Sequence, residues 1–402
     1  MDFSEDPIIE VVRDTVRRVY DVEIAPKIDA YEASGEFPYE IIRAMGGAGL
    51  FSAAFPEEMG GTALGFAAVG TIAEEISRLS PGFGYAMNMQ AMTCPFTIFN
   101  WGTPEQARHF VPELISGRKI GMFALTEPGG GSDPGGAMRT VAKRDGDSYV
   151  LNGSKIWITF SNAADVGVLF AKTDPAAGKR GISAFIVEPK SAPGFTARPI
   201  EMRPLSNCLR SCEVFLEDFR VPAENLLGNE GEGLKVALNA LEYGRLTVSG
   251  RLIGLAQACF DETLRYAQER EVGGQKIGAY QMVQHPIADV AVGIDAARLM
   301  MRRMAWLMDK GERSTRAAAR AKYLASEVAQ KAAQTARDTF AAYALAEEYP
   351  INTLSAYVNM LTVGEGTPNV QRILIAEDAL GFKTADRHPV MNPLRRQKAL
   401  YK

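Results

Sequence analysis

One acid stands out by its setting. In Thr362-Val363-Gly364-Glu365-Gly366-Thr367-Pro368 a single carboxylate lies between two glycines, directly before a run with helical spacing. Thr367 suits the cap of that helix and Pro368 its first turn. The glycines leave Glu365 without bulky neighbours and let the chain turn sharply. On these residues alone the acid reads as a solvated glutamate welcomed by a helix N-terminus. A second chemical stretch is Gly121–Asp165, where an apolar run (Met122 to Leu125) ends at Thr126-Glu127-Pro128 and continues through Gly129, Gly130 and Gly131. Three glycines permit backbone angles and close approaches that a β-carbon forbids. Asn152-Gly153 predicts a hairpin turn, with Trp157 and Thr159 on its second strand. Small donors (Thr126, Ser132, Thr159) and one planar wall (Trp157) together suit an isoalloxazine ring with a phosphate tail. Glycine-rich loops and hairpin tryptophans also occur in β domains that bind nothing of the kind.

The elements that must carry these residues change character along the chain. Up to about residue 120 the apolar positions recur at three- and four-residue spacing, as in PIIEVVRDTVRRVYDVEIAP, EFPYEIIRAMGGAGLF, FAAVGTIAEEISRLS and TPEQARHFVPELISG. The last of these opens on a Thr103 cap with a glutamate in its first turn. From Gly121 to about Asn229 the period becomes alternating: VGVLFAKTD, ISAFIVEP, FTARPI and SCEVFLEDFRVP read as short strands of a small barrel or sandwich. Beyond residue 232 four long amphipathic helices suit a bundle, with Met300, Met301, Met304 and Met308 as core filling. The expected architecture is therefore α+β and multidomain: an N-terminal helical domain (1–120), a central small β-barrel (121–231) and a C-terminal four-helix bundle (232–402).

Composition bounds the function. With 402 residues the chain is too long for one ordinary core, and 47% hydrophobic with 23% charged residues is the balance of a folded globular protein. A formal charge of −4 argues against a nucleic-acid partner. The short basic cluster Arg395, Arg396, Lys398 reads as a solvated helix end. Four cysteines (Cys94, Cys208, Cys212, Cys259) lack metal-ligand spacing and read as reduced thiols. The start, MDFSEDPIIEVV, is acidic where a targeting peptide is basic, so a cytoplasmic protein without a membrane span is expected.

Four stretches, LTEPGGGSD, LNGSKIWIT, VPAENLLGNEGEG and GEGT, occur in an order that resembles the acyl-CoA dehydrogenase flavoprotein family over nearly the whole chain. The resemblance implies that family's fold, FAD as cofactor, an acyl-CoA substrate, an electron-transferring flavoprotein as partner, and a homotetramer built as a pair of dimers. It implies that Glu365 takes the proton α to the thioester carbonyl while the β-hydrogen leaves as hydride. The Glu365 N–H and a flavin ribityl hydroxyl would stabilise the enolate. FAD contacts fall on Phe123, Leu125, Thr126, Gly131, Ser132, Trp157, Ile158, Thr159, Thr367 and Asn369, with Arg270 and Gln281 reaching a neighbouring subunit's FAD. Substrate contacts fall on Ser132, Tyr85, Met89, Gln90, Glu242, Arg245 and Gly366. Some branches carry the base just before the Arg245 position; here that position is Gly244. Glu242 resembles the acid that meets the CoA adenine, or is a solvated helix acid.

Several positions depart from the pattern. The aromatic of Arg-x-x-Phe-Gly is lost at Gly273, Gly-Gly-x-Gly is replaced by Ala341-Ala342-Tyr343-Ala344, and Arg-Asp by Ala356-Tyr357. Added methyl groups where a pyrophosphate should meet bare backbone are not neutral. Either the pocket has adjusted, or a related second chain supplies the missing contacts. The style is closest to the glutaryl-CoA dehydrogenase branch, but its acyl-pocket arginine aligns with Gly84 and an acid with Gln90. A glutaryl substrate is then disfavoured unless another arginine reaches in. Tyr85, Met87, Met89 and Phe96 suggest a cyclic, aromatic or branched acyl group, or simple packing. The expected activity is FAD-dependent α,β-dehydrogenation; the alternatives are an acyl-CoA oxidase and a non-catalytic subunit of a heteromer.

Overall fold

The computed structural model describes residues 7–202 and 204–382; the basic cluster at 395–398 lies outside them. Helix α1 (Pro7–Val19) buries Ile9, Val12, Val16 and Val19, one apolar stripe at three- and four-residue spacing, and runs on into a wide turn, Tyr20–Ile24. Helices α2 (Ile28–Ser34), α3 (Tyr39–Gly47) and α4 (Gly65–Leu79) follow. Next comes a segment that periodicity does not reveal: α5 (Gly84–Ala86), the wide-turn stretch Met87–Thr93 and α6 (Pro95–Trp101). Nearly every residue in it is buried, so it has no polar face to give it a stripe. Helix α7 (Pro104–Ile115) opens on the expected Thr103 cap, but the reciprocal partner is Gln106, not a glutamate.

Strands β1 (Gly121–Ala124), β2 (Val141–Asp145), β3 (Ser148–Thr159), β4 (Val166–Lys172), β5 (Ile182–Val187), β6 (Phe195–Pro199), β7 (Ser211–Pro222) and β8 (Leu226–Leu227) form one eight-stranded sheet, with the short helix α8 (Pro134–Ala137) inserted after β1. Its order is β6-β7-β3-β2-β4-β5-β8, and β1 pairs in parallel with β4. The hairpin expected at Asn152-Gly153 is not there. The turn lies upstream, where Asp145 pairs Ser148 across Gly146 (φ +63). Strand β3 then passes through Gly153, which sits at a register shift against β7. Two turn-prone glycine signals compete, and turning at the earlier one gives β3 twelve residues along β7, burying Tyr149 and Leu151.

Helix α9 (Gly233–Glu269) is the axis of the C-terminal region and packs on α4, α10 (Gln281–Asp309), α11 (Thr315–Phe340) and α12 (Ile351–Val363). A short hairpin of β9 (Glu271–Val272) and β10 (Gln275–Lys276) links α9 to α10. Helix α12 is a fifth helix, lying between the third and fourth of the four expected ones, and α13 (Pro368–Ala379) follows it. Met301, Met304 and Met308 fill the core as expected, whereas Met300 is exposed; one residue from Met301 is a quarter-turn off the stripe.

Candidate active site

Glu365 lies in the turn between α12 and α13. Gly364 has an ordinary φ of −63°; the left-handed residues are Glu365 (φ +53) and Gly366 (φ +96). For a glutamate this conformation costs about 1 kcal/mol or more, and persists only when the surroundings impose it. They do. Gln371 Nε2 donates to Gly366 O at 3.0 Å and more weakly to Glu365 O at 3.4 Å. Lys322 Nζ donates to Thr362 O at 2.5 Å and Gly366 O at 2.8 Å, and Arg245 Nε approaches Glu365 O at 3.4 Å. Thr367 accepts from Val370 N as the cap of α13, and Asn369 accepts from Arg372 one turn on.

The carboxylate points at α9. Asn88 Nδ2 donates to Glu365 Oε1 at 2.5 Å, while Oε2 is buried without a hydrogen-bond partner. A β-carbon on Gly244 would come within 2.4 Å of Oε2, so the bare backbone of α9 makes the space the acid occupies. Asn88 is itself fixed, its Oδ1 accepting from Thr247 Oγ1 at 2.9 Å and Arg251 Nη1 at 3.2 Å. Burial pushes the Glu365 carboxyl up to about 7 against the opposing pull of Arg245, Arg251, Lys322 and Asn88. Burial pushes Lys322 down to about 7. The arrangement is a weakly acidic carboxyl in a dry site ringed by cations, which is what proton abstraction near neutral pH requires.

On the other side of Tyr85 lies the second stretch. Phe160 packs its ring 6.5 Å from that of Tyr85; Trp157 (φ +63) lies within the bulge between Lys155 and Ile158 at which β3 slips against β7, and Phe160 (φ +66) follows it. Trp157 is 54% exposed although it stands on a strained backbone, a combination that stores cost for a contact rather than for packing. Ile156 N donates to Thr126 O at 2.9 Å, and the buried Lys155 Nζ bonds Glu127 Oε1 at 2.7 Å and Leu125 O at 3.3 Å, which joins the two sequence motifs. Thr159 Oγ1 lies 3.0 Å from Ser211 Oγ. Gly129, Gly130 and Gly131 do not take a positive φ. Of the three only Gly130 is crowded, by Ala137; a β-carbon on Gly131 would have no atom nearer than 3.9 Å, so the loop leaves open space beside Thr126 and the exposed Ser132. Phe123 is partly buried, and Leu125 and Ile158 are buried in the core. These residues fit a flat ring with an anionic tail.

Other candidates are placed elsewhere. Gln90 is fully buried and both ends of its amide are bonded to main chain: Nε2 donates to Leu114 O and Lys119 O, and Oε1 accepts from Gly121 N. It joins α7 to β1 and is not available to substrate. Glu242 is 9% exposed, so it is no solvated acid; it accepts from Ser314 and Thr315 and fastens the start of α11. Phe96 packs among Phe55, Phe66 and Tyr243 as core, while Met89 is partly buried and Tyr85 and Met87 are buried. Arg270 and Gln281 lie on the exposed hairpin end of the bundle, Arg270 over the Tyr343 ring at 5.6 Å. There Ala341 takes φ +52, so the methyl in place of a glycine does impose strain. Tyr357 accepts from Ser206 N at 2.9 Å and holds the loop before β7.

Sequence reasoning missed Asn88, Thr247, Arg251, Lys322 and Gln371. The signal for two of them was the 244-247-251 spacing on α9, one helix face carrying a glycine, a hydroxyl and a cation. Lys322 was visible as a charge on an alanine stripe.

Comparison with known proteins bears on the fold that carries this site. The chain matches the family models described as acyl-CoA dehydrogenase, N-terminal domain over residues 8–118, middle domain over 122–219 and C-terminal domain over 231–380. It is 37% identical to a glutaryl-CoA dehydrogenase of Desulfococcus multivorans over 96% of this chain and 100% of that one. It is 36% identical to the caffeyl-CoA reductase-Etf complex subunit CarC of Acetobacterium woodii over 94% and 98%. The solved glutaryl-coenzyme A dehydrogenase glutaryl-CoA complex superposes with a TM-score of 0.90 at 37% identity, covering 95% of this chain and 97% of that one.

Proposed function

Because this chain belongs to the acyl-CoA dehydrogenase family through all three of its domains, we propose that it forms an α,β-double bond in an acyl-CoA thioester with Glu365 as the base. The chain is an oxidoreductase of a family that works with FAD, and FAD supplies the acceptor for the β-hydrogen and its electron pair when bound. Phe123, Thr126, Ser132, Trp157 and Thr159, with the main chain of Leu125, Gly131 and Ile158, would hold it.

Glu365 takes the α-proton and becomes the neutral acid. Its strained turn presents the carboxylate, Asn88 orients Oε1, and the N–H of Glu365 would donate to the thioester oxygen as negative charge develops there. Arg245 and Lys322 keep the neighbouring carbonyls occupied, so that N–H is held in one direction. The acyl group would lie along Tyr85 and Met89, a lining suited to a cyclic, aromatic or branched body. An electron-transferring flavoprotein as the next acceptor is supported by the name of the Acetobacterium woodii relative. Exposed Met282, Val292 and Trp306 on α10 favour a tetramer, which would cover them. Among the described residues no helix is long and apolar enough to cross a membrane.

The observation that carries this reading is the Glu365 Oε2, buried and unbonded against Gly244. Its test is Glu365→Gln. The variant should retain FAD yet show no bleaching when acyl-CoA is added without oxygen; bleaching at the ordinary rate would mean that another group is the base. A heteromeric assembly is favoured by one feature, the strained Ala341 beside Tyr343 where FAD's adenosine end should dock. Purified alone, a self-sufficient chain carries one FAD per subunit, and a substoichiometric yield restored by a second chain would establish the heteromer.

A further inference from the structure

Asn88 touches the base with one end of its side-chain amide. The two ends of an amide are nearly the same shape but opposite in use, since the N–H donates and the C=O accepts. Turned one way, Nδ2 donates to Glu365 Oε1 at 2.5 Å and favours the carboxylate. Turned the other way, the amide oxygen would repel the carboxylate and accept from the neutral acid, favouring the form that cannot act as a base. What faces the far end of Asn88 therefore decides what Asn88 does to Glu365.

Two side chains of α9, one turn apart, face that end. Thr247 Oγ1 lies 2.9 Å from Asn88 Oδ1 and 2.8 Å from Gly244 O. A hydroxyl has a single proton, and when Thr247 gives it to the Gly244 carbonyl its lone pairs suit an amide N–H. Thr247 thus leaves the choice open. Arg251 does not: its Nη1 donates to Asn88 Oδ1 at 3.2 Å, and a guanidinium has no acceptor with which to receive Nδ2. Its other surroundings offer no substitute, since it is 3% exposed, lies 4.8 Å from the Tyr85 ring, and has its Nε buried and unbonded. Among the described residues Asn88 is its one side-chain hydrogen-bond partner. Flipping the amide would set donor against donor and strip a buried cation of that bond.

We propose that Arg251 is a positioning residue for the base: its donor-only guanidinium fixes the polarity of the Asn88 amide and keeps the N–H end on Glu365. The inference rests on the reading of Glu365 as the base of a dehydrogenase and adds a residue that acts on it from behind Asn88. Asn88 then supports the charged carboxylate alone. Once Glu365 has taken a proton it finds no acceptor on Asn88, and Oε2 has no partner either, so neither contact holds the proton against its release before the next turnover. Burial raises the Glu365 carboxyl, and the charged groups that face it, Arg245 and Arg251 on α9 and Lys322 on α11, oppose that rise. Arg251 itself faces Tyr85, Glu365 and Tyr357. It therefore acts twice, as a charge and through the amide, and the two are separable because only the second needs Asn88.

The test is a double-mutant cycle on the FAD-loaded enzyme, read as the pH at which kcat/KM stops rising. Arg251→Met should move that limb up by about one pH unit, a roughly tenfold loss of kcat/KM below it, and Asn88→Leu should move it about as far. In the Asn88→Leu background, Arg251→Met should add less than about half of its own shift. A full second shift would show that Arg251 acts by charge alone, and an unmoved limb in either single variant would remove the amide from the account; both overturn the proposal. If Arg251→Met does not fold, Arg251→Gln takes its place in the cycle, since its amide can accept as well as donate and frees the flip in the same way. The protonated-carboxyl infrared band that Glu365→Gln abolishes follows the same titration without substrate. Non-additive displacement of that band in an enzyme that bleaches with no acyl-CoA would keep the amide lock and sink the dehydrogenase reading. Bleaching accompanied by fully additive displacements would do the reverse.

Discussion

Glu365 and Ala341 share a backbone conformation, φ +53 and φ +52, that side-chain-bearing residues avoid. They hold it in opposite ways. Around Glu365 the carbonyls of the turn accept from Lys322, Gln371 and Arg245, and the carboxylate is caught between Asn88 and the bare backbone of Gly244. Ala341 ends α11 on the surface, where its N–H donates the ordinary helix-end bond to Arg337 O. Strain that many independent contacts impose is strain a site uses; strain at an open helix end is a glycine position filled by the wrong residue.

The sharpest way to break that contrast is Gly244→Ala. The new methyl would fall within 2.4–2.7 Å of the Glu365 carboxylate, so the acid must swing away from its place. A displacement of that order should lower kcat/KM by roughly 100-fold while FAD stays bound. Activity close to wild type would mean that the acid does not work from the position seen here.

A smaller effect follows from the cations. The base must be ionised to act, and burial holds Glu365 near 7; kcat/KM should therefore rise about tenfold per pH unit up to about 7 and level off above it. Lys322 faces the carboxylate and favours its charged form. In Lys322→Met that support is gone, the carboxyl pKa rises further, and the ascending limb moves to higher pH. The same change leaves Thr362 O and Gly366 O without their donor, which should cost about 2 kcal/mol of stability. A limb that stays in place would detach Lys322 from the base, whatever happened to the melting temperature.

These effects also mark what could be read in advance. Glu365 was legible because its glycines, cap and proline are contiguous, and the Trp157 stretch because four ordered motifs announce it. The ring that holds the acid was not, since Asn88, Arg251, Lys322 and Gln371 come from four separate elements and only packing joins them. Asn88 belongs to the buried run 84–101, which has no periodicity to read. The Asn152-Gly153 turn was misplaced because a local signal cannot report that β7, some fifty residues on, pairs more of β3 when the chain turns at Gly146.

The least disruptive probe, Ala341→Gly, sharpens the comparison from the other end. Glycine enters φ +52 freely, so native strain of about 1 kcal/mol is removed, partly offset by the greater freedom of the unfolded chain. The net gain should be a small rise in melting temperature, with no change in the Glu365 turn. The same substitution on Glu365 would empty the site. If the exposed end of α11 meets FAD in an assembled enzyme, removing the Ala341 methyl should also raise the fraction of subunits that keep FAD through gel filtration. Stability gained without any change in FAD retention would make Ala341 a matter of helix termination alone, and would leave Tyr343 and Arg270, stacked beside it, as the groups that decide whether this face accepts a nucleotide.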